Sequence, residues 1–139
     1  MQLHIIAHGK IARSAEADLL ERYLTRISWP VRHTELPDRG GRTPDPVLPC
    51  RTVLLDERGK ALSSPDLARL LGRWRDDGMR ECRFVIGPAD GHTADEREAA
   101  DLLLSFGAAT WPHLLARAML AEQLYRATAI LAGHPYHRV

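Results

Sequence analysis

Short apolar runs alternate with longer amphipathic stretches along the whole chain, and glycine or proline marks most of the boundaries between them. Leu3 to Ala7 reads as a short strand. Ser14 to Ile27 places Leu19, Leu20, Tyr23, Leu24 and Ile27 at helical spacing. Val31 to Leu36 alternates as a strand, and Pro37 to Arg51, with four prolines and Gly40-Gly41, reads as a loop. Thr52 to Asp56 has the apolar run of a buried strand. Ser63-Ser64-Pro65-Asp66 then supplies a cap and an early proline for a helix that runs to about Asp77 and stops at Gly78. Cys82 to Ile86 is another strand, closed by Gly87-Pro88-Ala89-Asp90-Gly91. Thr93-Ala94-Asp95-Glu96 is a capping-box pattern, and its helix is expected to reach about Leu104. Ala108 to Trp111 is the short segment before Pro112, and Leu114 to Leu131 is the last helix.

The order β-α-β-β-α-β-α-β-α predicts one α/β domain over residues 1–139, a mostly parallel sheet with helices on both faces. Ligands of such sheets sit outside the carboxyl ends of the strands. Three turns are expected there: after Leu55, after Ile86, and from Phe106 to Trp111.

Composition narrows the function classes. The chain is 45% hydrophobic and 27% charged, an ordinary globular balance. No window approaches the roughly 18 consecutive apolar residues of a membrane span. Met1 to Ala7 reads as a strand rather than a leader, and two cysteines, Cys50 and Cys82, suit neither a disulfide framework nor a zinc site. A reduced, cytoplasmic protein without a metal is expected. Net charge is only +1, so bulk charge announces no nucleic-acid partner. The seventeen arginines against two lysines fit a GC-rich genome, which leaves position to carry the argument.

Single motifs have ordinary readings beside functional ones. The Gly87 to Gly91 turn is neither GxGxxG nor a P-loop, and is either a simple turn or a loop that approaches a ligand. Asp56 to Lys60 reads as a turn with an exposed ion pair. His113 is either a helix-starting polar residue or a ligand contact. His4, His8 and His33 show no metal spacing. Glu122 and Arg126 form an i,i+4 pair, yet they share a stripe with Leu115, Met119 and Ile130, which suggests an interface or a pocket wall. After Gly133, the tail His134-Pro135-Tyr136-His137-Arg138-Val139 packs two imidazoles, a phenol and a guanidinium into five positions. Such groups move protons, stack on bases and hold phosphate; the plain alternative is a solvated tail docked by its aromatic ring.

Taken together, Leu54 to Lys60, Phe84 to Gly91, Thr110-Trp111-Pro112-His113, Ala121 to Arg126 and the tail resemble the RlmH family of SPOUT methyltransferases, in order and over nearly the whole chain. The resemblance implies a C-terminal trefoil knot, a homodimer, S-adenosylmethionine as methyl donor, and methylation of pseudouridine N3 in 23S ribosomal RNA of the large subunit. By position it assigns donor binding to Leu55, Gly87, Phe106, Gly107, Ala108, Ala109, Thr110 and Trp111. It directs attention to Tyr136, His137, Arg138 and Arg126 for catalysis. In that scheme His137 takes the N3 proton, Tyr136 stacks on or orients the base, and Arg138 and Arg126 hold phosphate. The tail is expected to complete the partner's pocket in the dimer. Two departures stand out. Pro88 occupies a usual glycine, and residues 37–51 are too short and proline-rich for the family's helix between the second and third strands. The competing readings are a ribosome-binding module with a degenerate donor site and a nucleotide-binding α/β enzyme of another kind.

Overall fold

The computed structural model describes residues 1–138; Val139, the end of the expected tail, lies outside the described residues. The elements are β1 (Gln2–His8), α1 (Ala15–Arg26), β2 (Val31–Leu36), β3 (Cys50–Lys60), α2 (Ser64–Asp76), β4 (Glu81–Ile86), α3 (Ala94–Ala99), β5 (Leu102–Leu104) and α4 (His113–Leu131). They form one α/β unit around a five-stranded parallel sheet in the order β2-β1-β4-β3-β5. Local chemistry sets the helix starts. Ser14 Oγ accepts from Ala17 N at 3.0 Å, and Ser63 Oγ accepts from Asp66 N at 3.2 Å. Thr93 and Glu96 close the anticipated capping box at 3.1 and 2.8 Å.

The two sheet faces are covered unequally. Leu3, Ile5, Val53, Cys82 and Phe84 bury one face against Leu20 of α1, Leu67 and Leu71 of α2, and Leu120 and Leu124 of α4. The opposite face holds Ile6, Leu54 and Val85, with Leu36, Leu103 and Ala100 beside them. No residue of the six-residue α3 is itself buried. Helices therefore do occur on both faces, three against one. The 37–49 loop is tied to the amino end of β4, where Pro49 O accepts from Arg80 N at 2.8 Å. Glu81, buried in β4, is paired with Arg83 Nε at 2.7 Å and Gln2 Nε2 at 3.1 Å, while His4 Nδ1 and Arg83 Nη2 beside it have no partner among the described residues.

Two sequence expectations fail at the β3–β5 edge. The helix after Thr93 stops at Ala99 rather than Leu104, and Leu102–Leu104, not Ala108 to Trp111, is the fifth strand. Asp101 enforces this: its N–H donates to Thr52 O at 2.9 Å, and its carboxylate accepts from Thr52 N at 2.8 Å and Arg51 Nη1 at 3.1 Å. Three leucines in a row carry no period, so only their pairing decides between helix and strand. Asp56 to Lys60 does not turn either; it prolongs β3. Gly59 permits this, because a Cβ there would stand 2.5 Å from the Leu103 backbone.

Candidate active site

The carboxyl ends of β3, β4 and β5 open into a pocket of about 450 Å³. Leu55, Ile86, Leu104 and Phe106 give it an apolar floor, and the 87–91 turn, Ala109 to Trp111, His113 and Ala116 form its walls. The loop after β5 is folded by its own groups. Ser105 Oγ donates to Gly107 O at 2.9 Å and accepts from Gly107 N at 3.1 Å. Gly107 has φ 106, in the left-handed region that glycine tolerates. Trp111 Nε1 donates to Phe106 O at 3.2 Å, which closes the loop and leaves the indole 42% exposed at the pocket rim.

Two histidines fasten the strand ends. His92 Nε2 donates to Leu55 O at 3.0 Å, and His113 Nε2 donates to Gly87 O at 2.7 Å. The His92 ring lies where a Gly87 side chain would go: a Cβ would meet Cε1 at 2.9 Å and Nδ1 at 3.0 Å. Glycine is required at 87 for this close approach. Below the turn, Asp56 is almost wholly buried and accepts from Arg97 Nε at 2.6 Å, which corrects the expected exposed pair. Burial alone would raise the Asp56 carboxyl. The Arg97 and Arg58 N–H donors outweigh it and hold Asp56 below the usual carboxylate range, as an anion that ties β3 to α3.

Of the residues expected around the donor, Leu55, Gly87, Phe106, Gly107, Ala109, Thr110 and Trp111 line this pocket, and Ala108 sits within the same loop without lining it. The expected catalytic residues gather elsewhere. Tyr136 folds back on α4, its ring 4.5 Å from that of Tyr125, and its hydroxyl donates to Glu122 Oε1 at 3.1 Å. Burial, with the Tyr23 hydroxyl and the Glu122 carboxylate beside it, pushes the Tyr136 phenol up and keeps it a neutral donor. Arg126 donates to Glu122 Oε1 through Nε at 2.9 Å and Nη2 at 2.6 Å, lies over the Tyr136 ring at 4.8 Å, and reaches His137 Nδ1 through Nη1 at 3.0 Å. Arg138 is exposed. Ala116 lines the pocket, whereas Glu122 and Arg126 lie six and ten residues further along α4, about 9 and 15 Å by helical rise. One protomer therefore does not bring the tail cluster to the pocket.

Sequence reasoning missed His92 and Ser105. Their partners are a carbonyl on another strand and a loop that closes on itself, and neither leaves a periodic trace. The histidine directly after the glycine turn was the one available signal for His92.

A parallel sheet with a carboxyl-edge pocket, walled by a glycine turn and a loop closed on itself, suits a nucleotide-derived cosubstrate. The chain belongs to the SPOUT methyltransferases, within the RlmH family: a family model described as "Predicted SPOUT methyltransferase" matches residues 47–137. Over 138 residues, 99% of each chain, it is 73% identical to the protein named Ribosomal RNA large subunit methyltransferase H in Erythrobacter litoralis. It is 67% identical to the protein of that name in Novosphingobium aromaticivorans and 46% identical to the one in Maricaulis maris, again over 99% of each chain.

Proposed function

We propose that the protein is a large-subunit ribosomal RNA methyltransferase that transfers the methyl of S-adenosylmethionine to N3 of a pseudouridine. The observation that carries this reading is the single pocket that gathers seven of the eight expected donor residues from β3 and from the loops after β4 and β5. The pocket suits an adenosyl ligand. Its floor is apolar, Gly87 leaves room for close backbone approach, and His92 Nδ1 beside it is a buried nitrogen without a partner among the described residues. When bound, the donor supplies a sulfonium-activated methyl, and the protein contributes position and electrostatics. Leu55 and Gly87, their carbonyls held by His92 and His113, fix the walls against which the donor is aligned.

The target N3 gains the methyl carbon as the carbon–sulfur bond breaks, and it gives up its proton. His137 takes that proton in this proposal. In the protomer, Arg126 donates to His137 Nδ1, so the ring becomes a base only when Arg126 lets go. An RNA phosphate drawing Arg126 away would achieve this and couple substrate binding to proton acceptance. Tyr136 then orients the base, and Arg138 holds phosphate.

The reaction needs the tail near the pocket, so the active unit is a homodimer in which each tail completes the partner's site. Its support is the surface between α1 and α4, a groove of about 570 Å³ where Leu19, Tyr23, Leu115, Met119 and Glu122 stand only partly covered. This groove shares Leu104 to Gly107 with the donor pocket. Sedimentation at micromolar concentration is expected to give twice the 15.6 kDa chain mass, with donor binding that follows dimer population. A fully active monomer contradicts it. The trefoil knot belongs to the same proposal. It is supported by α4, which returns from edge strand β5 past the β4 end to pack on both α1 and α2.

Labelled methyl transfer to whole ribosomes and to free ribosomal RNA is the deciding experiment. Transfer to ribosomes is expected to exceed transfer to free RNA, because a chain of net charge +1 gains little from bulk phosphate attraction. Ribosome binding without transfer supports the non-catalytic module instead. Pro88 is the residue to examine in that case. Its carbonyl accepts from Gly91 N at 2.8 Å as the first residue of a tight turn, a role that needs no N–H from it. Pro88→Gly is expected to change donor affinity by less than about tenfold, or 1.4 kcal/mol. A large gain on this change would mean that the proline damages the site.

A further inference from the structure

Arg117 has no exposed surface, yet it belongs neither to the donor pocket nor to the tail cluster. It projects from α4 beneath the loop that joins β1 to α1. Nη2 donates to His8 O at 3.3 Å and Gly9 O at 3.1 Å. Nη1 donates to Glu35 Oε2 at 2.7 Å and approaches His33 Nε2 at 3.4 Å. Glu35 Oε2 in turn accepts from Ile11 N at 2.7 Å. Burial, and then the neighbouring guanidinium, push the His33 imidazole down, so it faces Arg117 as a neutral acceptor. Burying a guanidinium is unfavourable unless it is paired, and here both terminal nitrogens are paired while Nε has no partner among the described residues. The loop above it is constrained as well: Ala12, with φ 51, is the only non-glycine residue in the left-handed region among the described residues. Merely joining a strand to a helix requires neither feature.

The loop presents Lys10 and Arg13 to solvent. Many surface arginines here have carboxylate partners, as Arg39 has Asp90, Arg42 has Asp45 and Arg75 has Asp76. Lys10 and Arg13 have none among the described residues. Their position is next to the chemistry. β1 pairs with β4 up to Ala7↔Ile86, so the loop after β1 leaves the sheet at the same edge as the Gly87-Pro88 wall of the donor pocket. Arg117 itself directly follows Ala116 of that pocket.

We infer that Lys10 and Arg13 hold phosphates of the RNA strand entering the donor pocket, and that Arg117 is the positioning residue that sets their loop at the rim. Phosphate contacts of this kind fix register rather than read sequence. The inference rests on the RNA methyltransferase reading, and direct ribosome binding separates the two. Lys10→Ala/Arg13→Ala, at exposed positions, is expected to weaken ribosome binding and raise KM for ribosomes by about tenfold or more. Its salt slope should fall by about 1.4, two contacts at about 0.7 each, with donor affinity unchanged. Arg117→Lys retains the charge opposite Glu35 but lacks the fork needed to serve both carbonyls. It is expected to raise KM for ribosomes more than it lowers kcat, and Arg117→Met to raise KM further. Parental affinity and salt slope in the surface double variant overturn the phosphate contact, and a parental KM in a folded Arg117→Lys protein overturns the positioning role. Absence of methyl transfer by the parent protein counts against the enzyme reading alone, since ribosome binding still tests the loop.

Discussion

Deletion of Tyr136 to Val139 is expected to abolish methyl transfer to ribosomes while leaving the fold and donor affinity nearly intact. The tail follows the last helix, and none of its described residues lines the donor pocket of its own protomer. Its loss removes the Tyr136–Tyr125 aromatic pair, the Arg126 contact over the Tyr136 ring, and the hydrogen bonds of Tyr136 to Glu122 and of Arg126 to His137, a cost to stability of about 2–4 kcal/mol. Arg126 keeps both bonds to Glu122, so no buried charge is stranded. The proposed chemistry, by contrast, loses its proton acceptor and its base-orienting ring together. His137→Ala isolates the first loss and is expected to lower turnover by about 10²-fold or more. Arg138→Ala should weaken ribosome binding and reduce its salt dependence, with a smaller effect on turnover. Parental rates in the truncated protein would reduce the tail to a docked end, with Tyr136 as its anchor. Mixing truncated protein with a donor-site variant adds a further check: heterodimers regain activity only if each tail serves the partner's pocket.

Gly87→Val is expected to weaken donor binding by more than tenfold, at least about 1.4 kcal/mol. The structure gives a more specific cause than a side chain entering the ligand's path. Even a Cβ at 87 would stand 2.9 to 3.2 Å from three atoms of the His92 ring. A branched side chain must displace that imidazole and break its bond to Leu55 O. One substitution therefore disturbs two walls of the pocket. Isothermal titration with S-adenosylmethionine reads the loss, and circular dichroism checks the fold. Unchanged donor binding in a folded Gly87→Val protein would take the turn out of the site.

The order of the nine elements was legible because strands and helices differ in period. Caps such as Ser63 and the Thr93–Glu96 box act over three residues, so they too appear in the sequence. The place of the pocket was also legible, since a parallel α/β order puts the ends of its strands on one edge, although β3 continues where a turn after Leu55 was expected. The sequence misled at Leu102–Leu104 and at Asp56 to Lys60. There the outcome depends on Asp101 clasping Thr52 and on Gly59 lying against Leu103, partners more than forty residues apart. The tail's chemistry was visible in its residue types, but its docking on Tyr125 and Glu122 was not.

The sequence by itself determined most of the strands and helices and where most helices begin. These follow from torsional preference and from bonds closed within a few residues. Tertiary structure alone decided that His92 and His113 hold the pocket's carbonyls, that Arg117 is buried under the Gly9 to Arg13 loop, and that the tail lies two to three turns of α4 from the pocket. Each of these depends on which distant backbone groups are left for a side chain to satisfy once the sheet has closed, and no local pattern records that.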